Sequence, residues 1–485
     1  MEKAEKIWNR KFILLFITNL LVLAAFYASI PIIPVYCQEI GITGSKVGIV
    51  LTAMSVATVL FRPVAGYLLD NFNRYRVYLL FLTLFCLSFP AFIAFPVFGL
   101  LIVVRLYMGV VYSVCASATM TLAGDVLPTS KVTEGISRFA FTVSIGMALG
   151  PYVGLQVQSN MSSKASFLTI FGITVLALIC VSCCRMKYPK VQRKKFSIRE
   201  TIYGPAVPFM LNMMFLMIPY GAVIAYCSIL AQEKEIMGHL PYFYICLVVG
   251  MLISKLSTQK AIDGGKHRPL VYASLVVLIL TMISFLFLTT GVHLLVAGFF
   301  FGLGYGILQP LFQSFVTGTT PGPKRGAANA TYMLSYDIGI GIGSLLMGFM
   351  QESIGLTTGF ALTAIAYVVG GIVYISYVDG YYAKCLEHSY RVTGCSQRPA
   401  VCPQSCFRPH SSRSFSEFQS RASRIWRKNF YFACALSKQQ TGCFNGAHAN
   451  FLPASRDTKP IGRAMSLLSV TLWTLPPCKE RPSYL

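Results

Sequence analysis

Between two long apolar runs, residues 61–76 read FRPVAGYLLDNFNRYR. One aspartate, Asp70, and two arginines, Arg74 and Arg76, fall into a short gap in a chain that is 55% hydrophobic and only 12% charged. The runs on either side of that gap decide the fold class. Mean hydropathy is +0.62, and stretches of about 18 or more apolar residues, long enough to cross lipid as helices, recur along the chain. Only helices and closed barrels satisfy every backbone group in hydrocarbon, and these runs lack the short alternating pattern of barrel strands. The expected class is an all-α membrane protein.

Working outward, apolar segments fall near 12–36, 47–69, 77–95, 99–124, 139–157, 166–184, 204–230, 241–259, 270–289, 294–316, 327–350 and 357–378, which makes twelve transmembrane helices. The first follows the basic start MEKAEKIWNRK but is too long for the apolar core of a secretory signal. Lys and Arg occur at every second connection: the N-terminus, Arg74 with Arg76, Lys131 with Arg138, the central RMKYPKVQRKKFSIRE, Lys266 with Arg268, and Lys324 with Arg325. The intervening loops are short and nearly uncharged or mildly acidic. The positive-inside rule therefore places both termini in the cytoplasm.

Sliding the chain against itself by 193 positions reveals an internal repeat without gaps. Asn19 meets Asn212, Tyr27 meets Tyr220, Arg62 meets Lys255, Asp70 meets Asp263, and Gly109 meets Gly302. Tyr112 meets Tyr305, Pro128 meets Pro321, Lys131 meets Lys324, Gly146 meets Gly339, and Gly150 meets Gly343. Two six-helix halves in the same orientation suit a rocking transporter, because similar bundles can pivot about a site between them. The expected organisation is an N-terminal bundle over 1–184, a cytoplasmic central loop over 185–203, a C-terminal bundle over 204–379 and a tail over 380–485.

The net charge of +24 would point to nucleic acid in a soluble chain. Here much of it lies in cytoplasmic loops and in the tail, whose fifteen Lys/Arg against four Asp/Glu give +11. Rich in Ser, Arg, Cys and Pro and without a spanning apolar run, the tail reads as disordered. Its Cys402, Cys406 and His410 are spaced like metal ligands, but Pro403 and Pro409 break the helix that would align them, and no metal site is expected. The fifteen cysteines show no paired pattern in the helical body, which argues against a disulfide framework.

The opening stretch resembles the signature loop of the major facilitator superfamily, G-x-L-x-D-x-x-G-R-R/K, often preceded by R-P. Gly66, Leu68, Asp70 and Arg74 match, Arg62 and Pro63 supply the prefix, and Asn73 replaces the second glycine, a residue type that tolerates positive φ. Asp70 stands where the second helix ends, and arginines a turn later can pair with it or with neighbouring helix ends. By the resemblance this cluster is a latch that holds the cytoplasmic side closed and parts when the halves rock; Arg62, Gly66, Asp70, Arg74 and, from the degenerate second copy, Asp263 are its gating candidates. An ordinary charged turn is the competing reading.

In the fourth helix Leu101, Arg105 and Gly109 resemble the family's L-x-x-x-R-x-x-x-G signature. A central arginine costs about 2.5–3.5 kcal/mol on insertion scales, so it must face protein or water unless it snorkels to the surface. The fifth helix carries Gly146, Gly150, Pro151 and Gly154, similar to the G-x-x-x-G-P-x-x-G signature associated with exporters. Small residues four apart let two helices approach closely. In the eleventh helix Asp337 is the one acidic side chain placed near mid-bilayer. A carboxylate there is costly unless protonation or a partner relieves it, so Asp337 is expected to couple transport to protons, with Arg105 biasing that proton; a purely structural pairing is the alternative. Helices 1, 4, 7 and 10 line the cavity in this superfamily. The resemblance thus makes Asn19, Tyr27, Tyr112, Asn212, Tyr220, Tyr305 and Gln309 candidate substrate contacts.

The expectation is a major facilitator fold of twelve helices in two six-helix bundles, most similar to proton-coupled drug and metabolite exporters. It would act as a functional monomer in the plasma membrane, exchanging a small organic solute for protons, with no enzymatic step, no cofactor beyond the proton gradient and no nucleic-acid partner. No G-x-x-x-x-G-K-[ST] motif points to ATP drive. The few charges in the cavity favour a neutral, cationic or mixed apolar solute over a polyanion. A solute importer or uniporter of the same fold, and a membrane sensor with a binding tail, are the alternatives.

Overall fold

A computed structural model describes residues 7–127, 131–184, 202–263, 267–320 and 324–385. Twelve helices are long and apolar enough to span a membrane: α1 Arg10–Glu39, α2 Ser45–Asn71, α3 Arg74–Ala94, α4 Phe98–Asp125, α5 Glu134–Asn160, α6 Ser163–Ser182, α7 Gly204–Glu233, α8 Met237–Thr258, α9 His267–Phe287, α10 Gly291–Gly318, α11 Arg325–Ser353 and α12 Leu356–Cys385. The described helices lie in one compact unit, Met1–Arg408. Most of the central loop, the tail from residue 386 with its Cys402, Cys406 and His410, and the turn prolines Pro128 and Pro321 lie outside the described residues.

Successive helices run in opposite directions, so the helix ends carrying Arg10, Arg74, Arg138, Arg268 and Arg325 share one membrane side, called here the basic side; the other is the far side. Local signals set the helix starts. Asn9 caps α1 by accepting from the Phe12 N–H, Ser162 caps α6 by accepting from Ala165, and Thr290 caps α10 by accepting from His293. Asn73 does the same for α3, accepting the Arg76 N–H at 3.1 Å with φ −64°. This corrects the expectation of a residue chosen for positive φ: the side chain is used as a cap. The last helix passes through a π-turn at Tyr374–Val378 and continues beyond Asp379 to Cys385. Tyr381 and Tyr382 pack against Phe209 there, and Tyr381 donates to the Pro205 carbonyl at 3.2 Å. The helical body therefore runs past residue 379, the boundary read from composition.

The 193-residue repeat is visible in the packing. A Cβ on Gly109 of α4 would overlap the Met54 carbonyl of α2, and a Cβ on Gly302 of α10 would overlap the Leu247 carbonyl of α8. Met54 and Leu247 are themselves 193 positions apart. Likewise Gly150 of α5 lies against Ala24 of α1, and Gly343 of α11 against Ile218 of α7. Each half is thus held by the same backbone-to-backbone approaches, which only glycine permits. Asn19 and Asn212 add matched polar ties, Nδ2 of Asn19 to Thr142 Oγ1 at 2.6 Å and Nδ2 of Asn212 to the Gly370 carbonyl at 2.7 Å.

Candidate functional site

The two halves meet along α2 with α11, α5 with α8 and, more sparsely, α1 with α7. On the far side they are tightly joined. Ser45, in the first turn of α2, donates its backbone N–H to Glu352 Oε1 at 2.9 Å, and that carboxylate occupies the space a side chain on Gly44 (φ +56°) would need. One turn deeper, a Cβ on Gly48 would come within 3.0 Å of the Ser344 carbonyl, and one on Gly348 within 3.1 Å of the Gly44 carbonyl. Thr52 Oγ1 then donates to the Gly341 carbonyl at 2.9 Å. Across the molecule Tyr152 of α5 and Tyr242 of α8 meet edge to face at 5.8 Å.

Deeper still lies an ion pair between the halves. Arg62 of α2 donates through Nε to Asp337 Oδ2 at 2.8 Å and through Nη2 to the same oxygen, and both side chains are about 15% exposed, at 15% and 16%. Removing one member of such a pair leaves an uncompensated charge in a poorly solvated place. Among the described residues it is also the last hydrogen-bonded link between the halves on the way to the basic side. Beyond it Gly66 of α2 and Gly326 of α11 have nothing within 4 Å of where a Cβ would stand.

Aromatic side chains surround the interior. Tyr112 stacks on Phe26 with centroids 3.9 Å apart, and Tyr220 stacks on Tyr305 at 4.3 Å. Tyr220 donates to Met147 Sδ at 3.7 Å and Tyr305 to Met217 Sδ at 2.8 Å. Tyr332 donates to the Gln309 carbonyl at 3.0 Å and lies 3.3 Å from the Tyr336 hydroxyl. A small apolar cavity between the halves is lined by Tyr27, Met147, Pro151, Tyr220, Ile224 and Tyr244. Of the seven candidate substrate contacts, Tyr27 and Tyr220 reach this cavity, and Tyr112, Tyr305 and Gln309 lie in the aromatic lining. Asn19 and Asn212 do not: at 4% and 0% exposure their side chains are used inside the bundles as helix ties. Helix rotation, which no motif specifies, makes the difference.

Arg105 is also placed differently from expectation. It is 4% exposed and donates through Nε to the Val50 carbonyl and through Nη2 to the Leu51 carbonyl, both at 3.3 Å, pinning α4 to α2. It faces protein instead of snorkelling, yet it does not meet Asp337. Counted from the far ends of their helices, Arg105 lies about 10 Å deep and Asp337 about 24 Å, at the 1.5 Å rise of a helix. The partner of Asp337 is Arg62, which the sequence reading grouped with the gate.

Within the signature loop Arg74 grips Asp125 with Nη1 at 3.0 Å from both carboxylate oxygens and stands 3.7 Å from Asp70, whose side chain is 64% exposed. Asp70 and Arg74 of the latch thus pair inside the N-terminal half, whereas Arg62 reaches across to Asp337. Beyond Thr258 the helix of α8 continues to Asp263, whose side chain is outside the described residues. Gly146, Gly150 and Gly154 all face α1, against Leu23, Ala24 and Ala28 with Ile32, and Pro151 faces the cavity. Glu352, Tyr332 and Tyr336 were missed by the sequence reading; adjacency of Tyr336 to Asp337 and the acid in the far-side loop QESIG were the available signals.

Comparison with known proteins agrees with this architecture. The sequence profile described as Major Facilitator Superfamily matches residues 15–317 and 242–437. The multi-drug resistance efflux pump PmrA of Streptococcus pneumoniae (strain TIGR4) is 22% identical over 342 residues, 65% of this chain and 82% of that protein. The quinolone resistance protein NorA of Staphylococcus aureus (strain MRSA252) is 24% identical over 171 residues, 35% of this chain and 44% of that protein, so the match spans less than half of that relative. Among solved structures, the nucleoside transporter NupG superposes with a TM-score of 0.64 at 14% identity, covering 76% of this chain and 98% of that one. The human organic anion transporter MFSD10 superposes with a TM-score of 0.57 at 15% identity, covering 75% and 98%. At such identities these structures speak for the fold.

Proposed function

The chain belongs to the major facilitator superfamily, and on that premise we propose that this multi-pass membrane transporter exports a small organic solute in exchange for protons by alternating access. The observation that carries the reading is the Arg62–Asp337 pair, the innermost bond between the two halves among the described residues, with α2 and α11 packed together on the far side and Gly66 and Gly326 of the same helices uncontacted on the basic side. Resemblance to multidrug efflux pumps and the Gly150-Pro151 signature favour export.

The basic side is cytoplasmic by the positive-inside rule, in the plasma membrane with both termini inside. With that side open, solute enters among the tyrosines while Asp337, ionised, is held by Arg62. After the halves rock, Asp337 faces outward and takes a proton, which cancels its attraction to Arg62. Return to the cytoplasmic side gives the proton up, and the ion pair forms again. Each half carries one member of the pair, so proton occupancy and the relation between the halves are linked. The latch of Asp70 and Arg74 closes the cytoplasmic side in the alternate state, and the chain acts as a monomer without a bound cofactor.

A proton-flux screen of candidate solutes in proteoliposomes tests this reading. Export by exchange predicts that solute moving in one direction drives protons in the other. Solute and protons moving together, or solute moving without proton flux, would replace it with import or uniport.

A further inference from the structure

The repeat places a second cation at the other seam of the molecule without the acid that balances the first. Arg62 lies eight positions beyond Met54, whose carbonyl faces Gly109; Lys255 lies eight positions beyond Leu247, whose carbonyl faces Gly302. By the repeat the two cations hold equivalent positions, Arg62 on α2, which packs on α11, and Lys255 on α8, which packs on α5. The position related to Asp337 is Ser144 of α5.

At the first seam the carboxylate is part of the chain. At the second it is missing. Lys255 is half-buried and has no hydrogen bond or ion pair with any described residue, and Ser144, 5% exposed, has no hydrogen-bond partner among them either. Among the described residues no acid stands at membrane depth on the neighbouring helices. Glu134 at the basic end of α5 is held by Arg138, Glu233 ends α7 on the far side, and α9 and α10 contain no Asp or Glu. An ammonium ion in this setting is costly unless a counter-charge arrives from outside the chain.

We propose that Lys255 and Ser144 form an anion subsite between α5 and α8 that takes a carboxylate, or a comparable single negative charge, on the transported solute. The proposal rests on the reading that the two halves enclose an exported solute, and it adds to it a substrate class: solutes with an apolar body for the tyrosines and one acidic group for Lys255. The lysine supplies charge without a fixed fork, so acids of different shape can share the subsite.

The test uses the full chain in phosphatidylcholine vesicles and two probes that differ only in their acidic group, the fluoroquinolone norfloxacin and its ethyl ester, with binding read by quinolone fluorescence. The acid should bind at least tenfold more tightly than the ester. In Lys255→Gln the two should bind within twofold of each other, and in Ser144→Asp, which supplies the missing acid within the chain, the preference should vanish as well. Lys255→Arg should keep it. Equal binding of acid and ester to the unaltered chain, or a preference that survives Lys255→Gln, overturns the anion subsite while leaving export standing. So does a Lys255 effect seen only when phosphatidylglycerol is added, which would assign the lysine to a lipid headgroup. Binding of neither probe also overturns the subsite for this solute class, whereas export itself is decided by the sign of the proton flux.

Discussion

One pair of helices, α2 and α11, is sealed at one end and open at the other. At the far end Gly44, Gly48 and Gly348 let the two backbones approach so closely that added side chains would collide, and Glu352 and Thr52 bond across the gap. At the basic end Gly66 and Gly326 of the same two helices face empty space. Both ends are rich in glycine, but only one uses it for contact in this conformation. Glycine at Gly66, matching the family signature, has a packing role only if α2 meets another helix there in a different state. The Arg62–Asp337 pair marks the boundary between the two regimes.

The strongest way to break this contrast is to fill the sealed end. Gly48→Leu should prop α2 away from Ser344 and lower transport more than tenfold, since overpacking costs about 1–3 kcal/mol and here acts on the closed far side alone. Cysteine accessibility should show the far side open. The same change at the other end, Gly66→Leu, should leave insertion and thermal stability unaltered while slowing turnover severalfold, because its clash arises only when the basic side closes. If Gly66→Leu instead unfolds the protein, the space beside it is not open.

Next in size is the boundary itself. Arg62→Met leaves Asp337 without its counter-charge and should lower the amount of folded protein, whereas Arg62→Met combined with Asp337→Asn should restore it, as removal of both members of a buried pair commonly does. Folded yield by size-exclusion fluorescence gives the answer; a double variant as poor as the single one would mean that the pair does not balance itself.

A smaller effect is expected at the latch. Asp70 is mostly exposed and, among the described residues, pairs with Arg74 at 3.7 Å, an arrangement that contributes little to stability. Asp70→Asn should therefore leave the melting temperature unchanged yet slow transport, by weakening the alternate state. Smallest of all is the tail: a chain ended after Cys385 should transport within twofold of the full chain, measured at equal membrane level. Ending it after Asp379 should do more harm, because Tyr381 and Tyr382 pack on Phe209.

Much of this fold could be read without coordinates. Twelve apolar runs gave the helices, and the gapless offset of 193 gave the two halves, because a repeat conserves glycines where backbones touch. Asp337 stood out as a lone acid far from any membrane surface. Its partner did not, for the two residues are 275 positions apart and Arg62 sits beside a motif that already explained it. Arg105 misled for a related reason: a motif shows that a charge is buried but not at what depth another charge lies. Asn19 and Asn212 were polar residues on the expected cavity helices, yet a helix must also bond to its neighbours, and the direction in which each side chain points is set by packing that no local pattern encodes.

Asp337→Asn in proteoliposomes tests the coupling role most directly. The amide keeps the shape of the loaded carboxyl but can neither release its proton nor attract Arg62 as an anion. Accumulation of solute against its gradient, driven by a pH difference, should be abolished, while exchange of labelled for unlabelled solute at equal concentrations should survive in part, since exchange needs no net proton movement. Concentrative transport by Asp337→Asn at the unaltered proton stoichiometry would contradict the assignment and leave Arg62–Asp337 as a structural tie between the halves.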